Sequence, residues 1–212
     1  MLGKGNTAEV FDYGDGKVLK LFLSGYPKEY AMLEFKNAIE VFRLGLPVPK
    51  PYEMVVSKQR DGIVYEKIEG RILADIFNED KGDKNIILRD FACLHRKWLN
   101  LHSGNVLSYK VFLKTVGKEA SDESILTGID ALPDGDYLLH GDFHLENILI
   151  TPDTSPVVID FMNVCRGPAL YDIARTYFLL SRRDYSTADL YLKEMGTEKE
   201  AITPYLKFVP YL

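Results

Sequence analysis

The stretch from Tyr137 to Phe161 constrains this chain more than any other. A strand-like run, Tyr137 to His140, leads into His140-Gly141-Asp142-Phe143-His144-Leu145-Glu146-Asn147-Ile148-Leu149-Ile150. A second short strand, Val157 to Phe161, lies beyond the turn Thr151-Pro152-Asp153-Thr154-Ser155-Pro156. The segment after Asn147 therefore reads as a hairpin whose returning strand brings Asp160 to the side of Asn147.

Phosphoryl transfer needs a carboxylate beside the acceptor hydroxyl and a metal ligand close by, on a rigid loop. Asp142 followed five positions later by Asn147 meets that need, and the kinase catalytic-loop form H-x-D-x-x-x-x-N is present without a gap. Asn147 and Asp160 offer an amide oxygen and a carboxylate, a pair suited to Mg²⁺, which also takes phosphate oxygens and water. Each residue alone is an ordinary turn former; their combination around a hairpin is what points to a site. His140 and His144 stand four apart, but that spacing shares a face only on a helix. Gly141 and the strand-like flanks make this a loop, with His140 bracing it by hydrogen bonds. His95 and His102, on or near an amphipathic helix, read as packing or capping residues.

The first third is rich in strands. Val10-Phe11 and Val18 to Phe22 flank a Gly/Asp hairpin turn, residues 12–16. An amphipathic helix with apolar positions Leu33, Ala38, Val41 and Phe42 ends at Gly45, and Pro47, Pro49 and Pro51 extend the chain beyond it. Strands over Tyr52 to Ser57 and Gly62 to Ile68 follow, separated by the polar turn of residues 58–61. From about Arg71 the pattern turns helical: Ile87, Phe91, Leu94, Trp98 and Leu101 share one face, a helix is expected from Tyr109 to Ala120, and Tyr171 to Ser181 reads as a buried helix.

Lys20 interrupts the apolar run Val18-Leu19-Lys20-Leu21-Phe22. A nucleotide site needs a strand-borne cation on the α- and β-phosphates and a helix carboxylate to orient it. The following helix offers Glu29, Glu34 and Glu40; mid-helix Glu34 is preferred, with Glu29 the alternative. Upstream, Gly3 to Val10 contains Gly5-Asn6-Thr7, a phosphate-covering loop whose backbone N–H groups face anionic oxygens.

With 212 residues, 46% of them hydrophobic, the chain can build a real core. A net charge of −5 without a Lys/Arg block argues against nucleic acid or an anionic membrane as partner. No run reaches the roughly 18 apolar residues of a membrane span, and the N-terminus lacks a signal peptide's pattern, so a cytoplasmic monomer or homodimer is expected. Cys93 and Cys165 read as reduced, buried thiols.

Together HGDFHLENI, VVIDFMNVCRGPALYDIAR, the Lys20 strand and Pro47-Val48-Pro49 resemble the aminoglycoside phosphotransferase and choline kinase superfamily, small-molecule relatives of the protein kinases. The resemblance implies an α+β, two-lobed, protein-kinase-like fold. Residues 1–68 would form a nucleotide-binding lobe with a small antiparallel sheet and one helix. Residues 69–212 would form a mainly helical catalytic lobe with an abbreviated substrate-binding region. It further implies a hinge at Tyr65 to Ile68 in which Glu66 and Ile68 read the purine through main-chain groups. Asp142 would be the catalytic Asp, Asn147 and Asp160 the Mg²⁺ ligands and Lys20 the phosphate clamp, and Asp172 would brace the catalytic loop. The expected activity is transfer of the γ-phosphoryl of ATP or GTP to a small-molecule hydroxyl, an aminoglycoside or amino-alcohol among the candidates. A small atypical protein serine/threonine kinase and a non-catalytic nucleotide-binding module are the alternatives. Met162 in place of a D-F-G glycine, and the short span from Asp160 to the next helix, speak against a protein kinase.

Overall fold

The computed structural model describes residues 1–79, 83–119 and 123–209; Ala120, the expected end of one helix, lies outside the described residues. In chain order the elements begin with β1 (Gly3–Lys4), β2 (Ala8–Gly14), β3 (Lys17–Phe22), α1 (Lys28–Arg43), β4 (Pro51–Ser57), β5 (Arg60–Glu66) and β6 (Arg71–Ile72). Then come α2 (Leu73–Asn78), α3 (Lys84–Leu99), α4 (Tyr109–Glu119), α5 (Glu123–Asp130), β7 (Tyr137–Leu139), β8 (Ile148–Ile150) and β9 (Pro156–Val158). Last are β10 (Cys165–Gly167), α6 (Ala169–Ser181), α7 (Tyr185–Met195) and α8 (Lys199–Leu206). They form two compact units, residues 1–72 with 148–162, and residues 73–147 with 163–212.

The first unit is built on a five-stranded antiparallel sheet ordered β1-β2-β3-β5-β4. Gly14 pairs with Lys17, so the β2–β3 turn is the two residues Asp15 and Gly16, at φ 48° and 69°. Positive φ at both central positions is what a tight hairpin following the strands' right-handed twist requires. The β4–β5 turn is equally short, with Lys58 and Gln59 at φ 50° and 60°. Neither is glycine or asparagine, so the usual hairpin signal is missing, and the sequence reading spreads the turn over residues 58–61. The second strand ends at Glu66, leaving Lys67 and Ile68 outside it. Leu19, Leu21 and Val64 bury one face of the sheet with Phe11 and Val55; strand alternation therefore turns Lys20 to the opposite face. Helix α1 buries Ala31, Glu34, Ala38 and Val41 and contacts β4 and β5. Gly45, at φ 75°, ends it as expected.

The hairpin β8–β9 belongs to this first unit, although the sequence reading places it within 69–212. Its ties are the pairing of Ile150 with Arg71 in β6 and the Val158 N–H donated to the Pro47 carbonyl at 2.8 Å. Strand β9 stops at Val158 rather than running to Phe161. Asp160 instead adopts φ 70°, the left-handed region that Asp tolerates better than most residues.

The second unit is mainly helical. α3 buries Leu88, Phe91, Ala92, Leu94, His95, Trp98 and Leu99, the expected single face, and packs on α7; α7 and α8 both pack on α6. Helices α2, α5, α7 and α8 are absent from the sequence reading, although α5 buries Ile125 and Ile129, and α7 buries Ala188, Tyr191 and Leu192, at helical spacing. Asp184 caps α7 by accepting from the Thr187 N–H, and Gly196 ends it at φ 66°. One expectation fails here: Cys93 is exposed on α3 while Cys165 is buried. His102, 3.1 Å from Asp136, packs its ring on Tyr137 with centroids 4.7 Å apart. No described helix is long and apolar enough to cross a membrane.

Candidate active site

Within the first unit three of the predicted residues meet. β3 runs between β2 and β5, pairing Lys20 with Val10 and Ile63, so its backbone is fixed on both sides. Lys20 Nζ lies 2.7 Å from Glu34 Oε1 and 3.0 Å from Asp160 Oδ1. Glu34, not Glu29, is the partner, because it sits on the face of α1 turned to the sheet. Asn37, one turn further on α1, donates to the Phe161 carbonyl at 2.9 Å and ties the segment carrying Asp160 to the helix. The Tyr65 hydroxyl donates to the same Glu34 oxygen at 3.3 Å.

Burial raises the Glu34 carboxyl above the usual range, with Lys20 opposing. Burial alone would depress Lys20, but Asp160 and Glu34 outweigh it and raise its pKa, so the ammonium stays charged. Tyr26, partly buried and near Glu34, is pushed up to about 12.

The predicted phosphate-covering loop is the tip of the β1–β2 hairpin, with Gly5, Asn6 and Thr7 exposed. The Gly5 N–H is already given to the Ala8 carbonyl at 2.9 Å, leaving the Asn6 and Thr7 N–H groups without a partner among the described residues. In the predicted hinge, the Glu66 N–H donates to the Lys50 carbonyl at 2.9 Å, while the main chain of Ile68 makes no hydrogen bond among the described residues.

The second unit holds the loop that follows β7. Gly141 is at φ 76°, and a Cβ there would lie 2.3 Å from the Asn163 carbonyl oxygen, so only glycine fits. Asp172 stands in the first turn of α6, whose N-cap is Pro168; its carboxylate serves the loop instead of its own helix end. It accepts from the His140 N–H at 2.7 Å and the Gly141 N–H at 2.8 Å. His95 Nε2 donates to it at 3.1 Å, and Nδ1 meets the Tyr191 hydroxyl at 2.7 Å. Burial would raise the Asp172 carboxyl, but these donors outweigh it and hold the pKa below the ordinary value. His140 Nδ1 accepts from the Asp142 N–H at 3.3 Å, the bracing expected of it.

Asp142 presents a carboxylate that is 25% exposed. Oδ1 is 3.1 Å from Arg175 and Oδ2 is 3.2 Å from His144 Nε2. Burial works against ionisation, yet His144 and Arg175 outweigh it and hold Asp142 at about 2. His144 also donates to Glu146 at 2.7 Å, and these two carboxylates overcome its burial to raise the imidazole to about 9. Arg183 in turn reaches Glu146 at 2.5 Å and Asn78 at 2.7 Å. The loop is thus a chain of alternating charges anchored on α6 and the residues just after it.

Asn147 closes the single 3₁₀ turn Leu145–Asn147. Its Nδ2 donates to the Asp142 carbonyl at 3.0 Å. An oxygen in that place would repel the carbonyl, so the amide orientation is set and Oδ1 accepts no hydrogen bond among the described residues. Asp160 keeps 41% of its side chain exposed while one oxygen meets Lys20. Asn147 and Asp160, each within its own unit, offer a hard oxygen of the kind that Mg²⁺ takes beside phosphate and water. No group of three or more His, Cys, Asp or Glu among the described residues suits a cluster-bound metal.

The sequence reading did not find Arg175, Glu146, Arg183 or the roles of Tyr65 and His95. A signal existed for Arg175, a permanently charged residue inside the apolar segment Asp172-Ile173-Ala174-Arg175-Thr176-Tyr177-Phe178, where an unpaired charge is rarely buried.

Residues 117–201 match the model of the phosphotransferase enzyme family. No curated protein matches the chain. Among solved structures, a type VIII aminoglycoside-3′-phosphotransferase superposes with a TM-score of 0.68 at 16% identity, over 97% of this chain and 94% of that one. Aminoglycoside phosphotransferase APH(3″)-Id from Streptomyces rimosus, solved with ADP and streptomycin, gives 0.66 at 14% identity over 92% and 86% of the two chains. Choline kinase LicA from Streptococcus pneumoniae gives 0.61 at 16% identity over 97% and 78%. The fold is therefore the α+β architecture of the kinase-like phosphotransferases. The family match over residues 117–201 and the folds of these neighbours agree with the resemblance that the motifs carry.

Proposed function

We propose that this chain is a phosphotransferase that moves the γ-phosphoryl group of ATP or GTP to a hydroxyl of a small molecule. The observation that carries this reading is the loop His140 to Asn147. Asp172 pins its backbone through two N–H groups, and Asp142 emerges as a partly exposed carboxylate whose pKa His144 and Arg175 hold at about 2. Because phosphoryl transfer proceeds through a loose transition state, catalysis is mostly positioning and charge stabilisation. Asp142 orients the acceptor hydroxyl for attack. Lys20, held charged by Glu34, clamps the α- and β-phosphates, and the N–H groups of Asn6 and Thr7, with Gly5 supplying the turn, cover the phosphates. The main chain of Glu66 and Ile68 reads the base. Asn147 and Asp160 are the residues that would hold Mg²⁺, which when bound neutralises phosphate charge. His140 and Asp172 keep the loop in place.

The net charge of −5 favours a cationic acceptor such as an aminoglycoside or a choline-like alcohol, and the neighbours bound to streptomycin or named as choline kinase support the same class. The test is a panel of aminoglycosides, amino-alcohols and sugars screened for acceptor-dependent ADP or GDP release with Mg²⁺. Asp142→Ala is expected to lower kcat by roughly 10²–10⁴-fold with nucleotide affinity unchanged. Full turnover in that variant would overturn the assignment.

A further inference from the structure

Arg175 lies in the middle of α6 and is 5% exposed. A guanidinium withdrawn from water is tolerated only where oxygens satisfy it, and here three do so. Nη1 donates to the Val209 carbonyl at 2.7 Å, Nε to the Gly141 carbonyl at 3.3 Å, and Nη2 to Asp142 Oδ1 at 3.1 Å. The fork is rigid and planar, so anchoring Nη1 on the C-terminal segment and Nε on the loop backbone sets where Nη2 points. The next residue, Thr176, donates to the Phe143 carbonyl at 2.9 Å, so α6 grips the loop backbone on both sides of Asp142. The second carboxylate oxygen faces His144.

We propose that Arg175 is a positioning residue for phosphoryl transfer: its cationic contact with Oδ1 fixes the side-chain rotamer of Asp142 so that the carboxylate orients the acceptor. The inference rests on the assignment of Asp142 as the residue facing the acceptor. Arg175 itself acts only through Asp142. A purely structural tie between α6 and the C-terminal segment is the competing account, and the two differ in what a retained positive charge can rescue.

The experiment uses the full chain and MgATP with water as acceptor, followed by ADP release, alongside melting temperatures. Arg175→Met removes the charge and all three donors. Displacing a catalytic group by about an ångström costs up to roughly a hundredfold, so kcat is expected to fall about 10–100-fold while KM for MgATP stays within about twofold. Arg175→Lys loses the fork that holds Val209 and Gly141 but keeps a cation beside Asp142. Its melting temperature is expected to drop as far as that of Arg175→Met, while most of kcat returns.

If kcat follows melting temperature through both variants, or the loss appears in KM alone, or Arg175→Met turns over like the unmodified chain, the inference is overturned. Should Arg175→Met fail to fold, Arg175→Lys decides: a lowered melting temperature with kcat near the unmodified value supports positioning, and a parallel fall in both overturns it. The underlying reading fails separately, through full turnover in Asp142→Ala or no turnover in the unmodified chain. Either result removes the basis of the inference as well.

Discussion

At the scale of single residues, the loop from His140 to Asn147 depends on one backbone conformation. Gly141 holds φ 76° with the Asn163 carbonyl against its Cα, and an added Cβ would meet that oxygen at 2.3 Å. Backbone movement of at least several tenths of an ångström must follow, at a cost of about 2–4 kcal/mol for left-handed strain plus overpacking. Gly141→Ala is expected to lower the melting temperature by roughly 5–15 °C for a chain of this size and to lower turnover with it. An unchanged melting curve would show that the loop accommodates a side chain by another route. Tyr65→Phe tests the other set of charges. Removing the hydroxyl leaves Glu34, buried at 1% exposure, with Lys20 as its main donor. Glu34 then holds Lys20 less firmly, and KM for MgATP is expected to rise about 3–10-fold, in line with the loss of one hydrogen bond to a charged group. No change in KM would assign that hydroxyl to packing alone.

At the scale of elements, the strands and long helices were legible because their patterns are periodic. β3, α1, α3 and α6 each carry apolar residues at the spacing their structure demands, and Gly16 and Gly45 mark ends that need positive φ. The Lys20–Glu34 pair was readable for the same reason: a cation breaking an apolar strand and a carboxylate mid-helix must face each other once sheet and helix pack. The Lys58-Gln59 turn carries no glycine to announce it, and Asp160 lies past the end of its strand instead of at its tip. Glu146 and Arg183 are 37 positions apart and no local pattern links them. α7 was missed, yet its cap is conventional: Asp184 accepts from the Thr187 N–H at 2.8 Å, and hydrogen bonds from Ser186 and Thr187 depress its carboxyl to about 2. Asp184→Ala is expected to cost about 1 kcal/mol. A folded pKa below the unfolded one gives stability present above about pH 4 and lost as pH falls toward 2. The difference in melting temperature between the two chains should therefore shrink across that window, and a difference constant down to pH 2 would argue that the cap is not ionic.

At the scale of the whole molecule, each compact unit is discontinuous in sequence: the chain leaves the first at Ile72, returns to it at Ile148 and leaves again after Met162. Asn147 ends one passage and Asp160 nearly ends the next, whereas Lys20 and Glu34 lie well inside the first; Asp142, Glu146 and Asp172 concentrate the charge of the second unit. That concentration of charge gives the stability of the folded chain a pH profile with two flanks. On the acid side Asp142, Asp172 and Glu146 all have carboxyls below their ordinary values, and protonating them removes the partners of Arg175, His95 and Arg183. On the alkaline side the controlling group is His144, raised to about 9 because Asp142 and Glu146 overcome its burial. A folded pKa above the unfolded value of about 6.5 contributes stability that is complete below pH 6.5 and is lost as pH rises to about 9. The melting temperature is therefore expected to fall by several degrees between pH 6.5 and 9, well before lysines titrate. His144→Gln should lower stability at pH 6 and flatten that fall, since an amide has no proton to lose. Melting curves of both chains across this range decide the matter: an equal alkaline decline in the two would place its origin in another group and leave the imidazole a neutral hydrogen-bonding partner of Asp142.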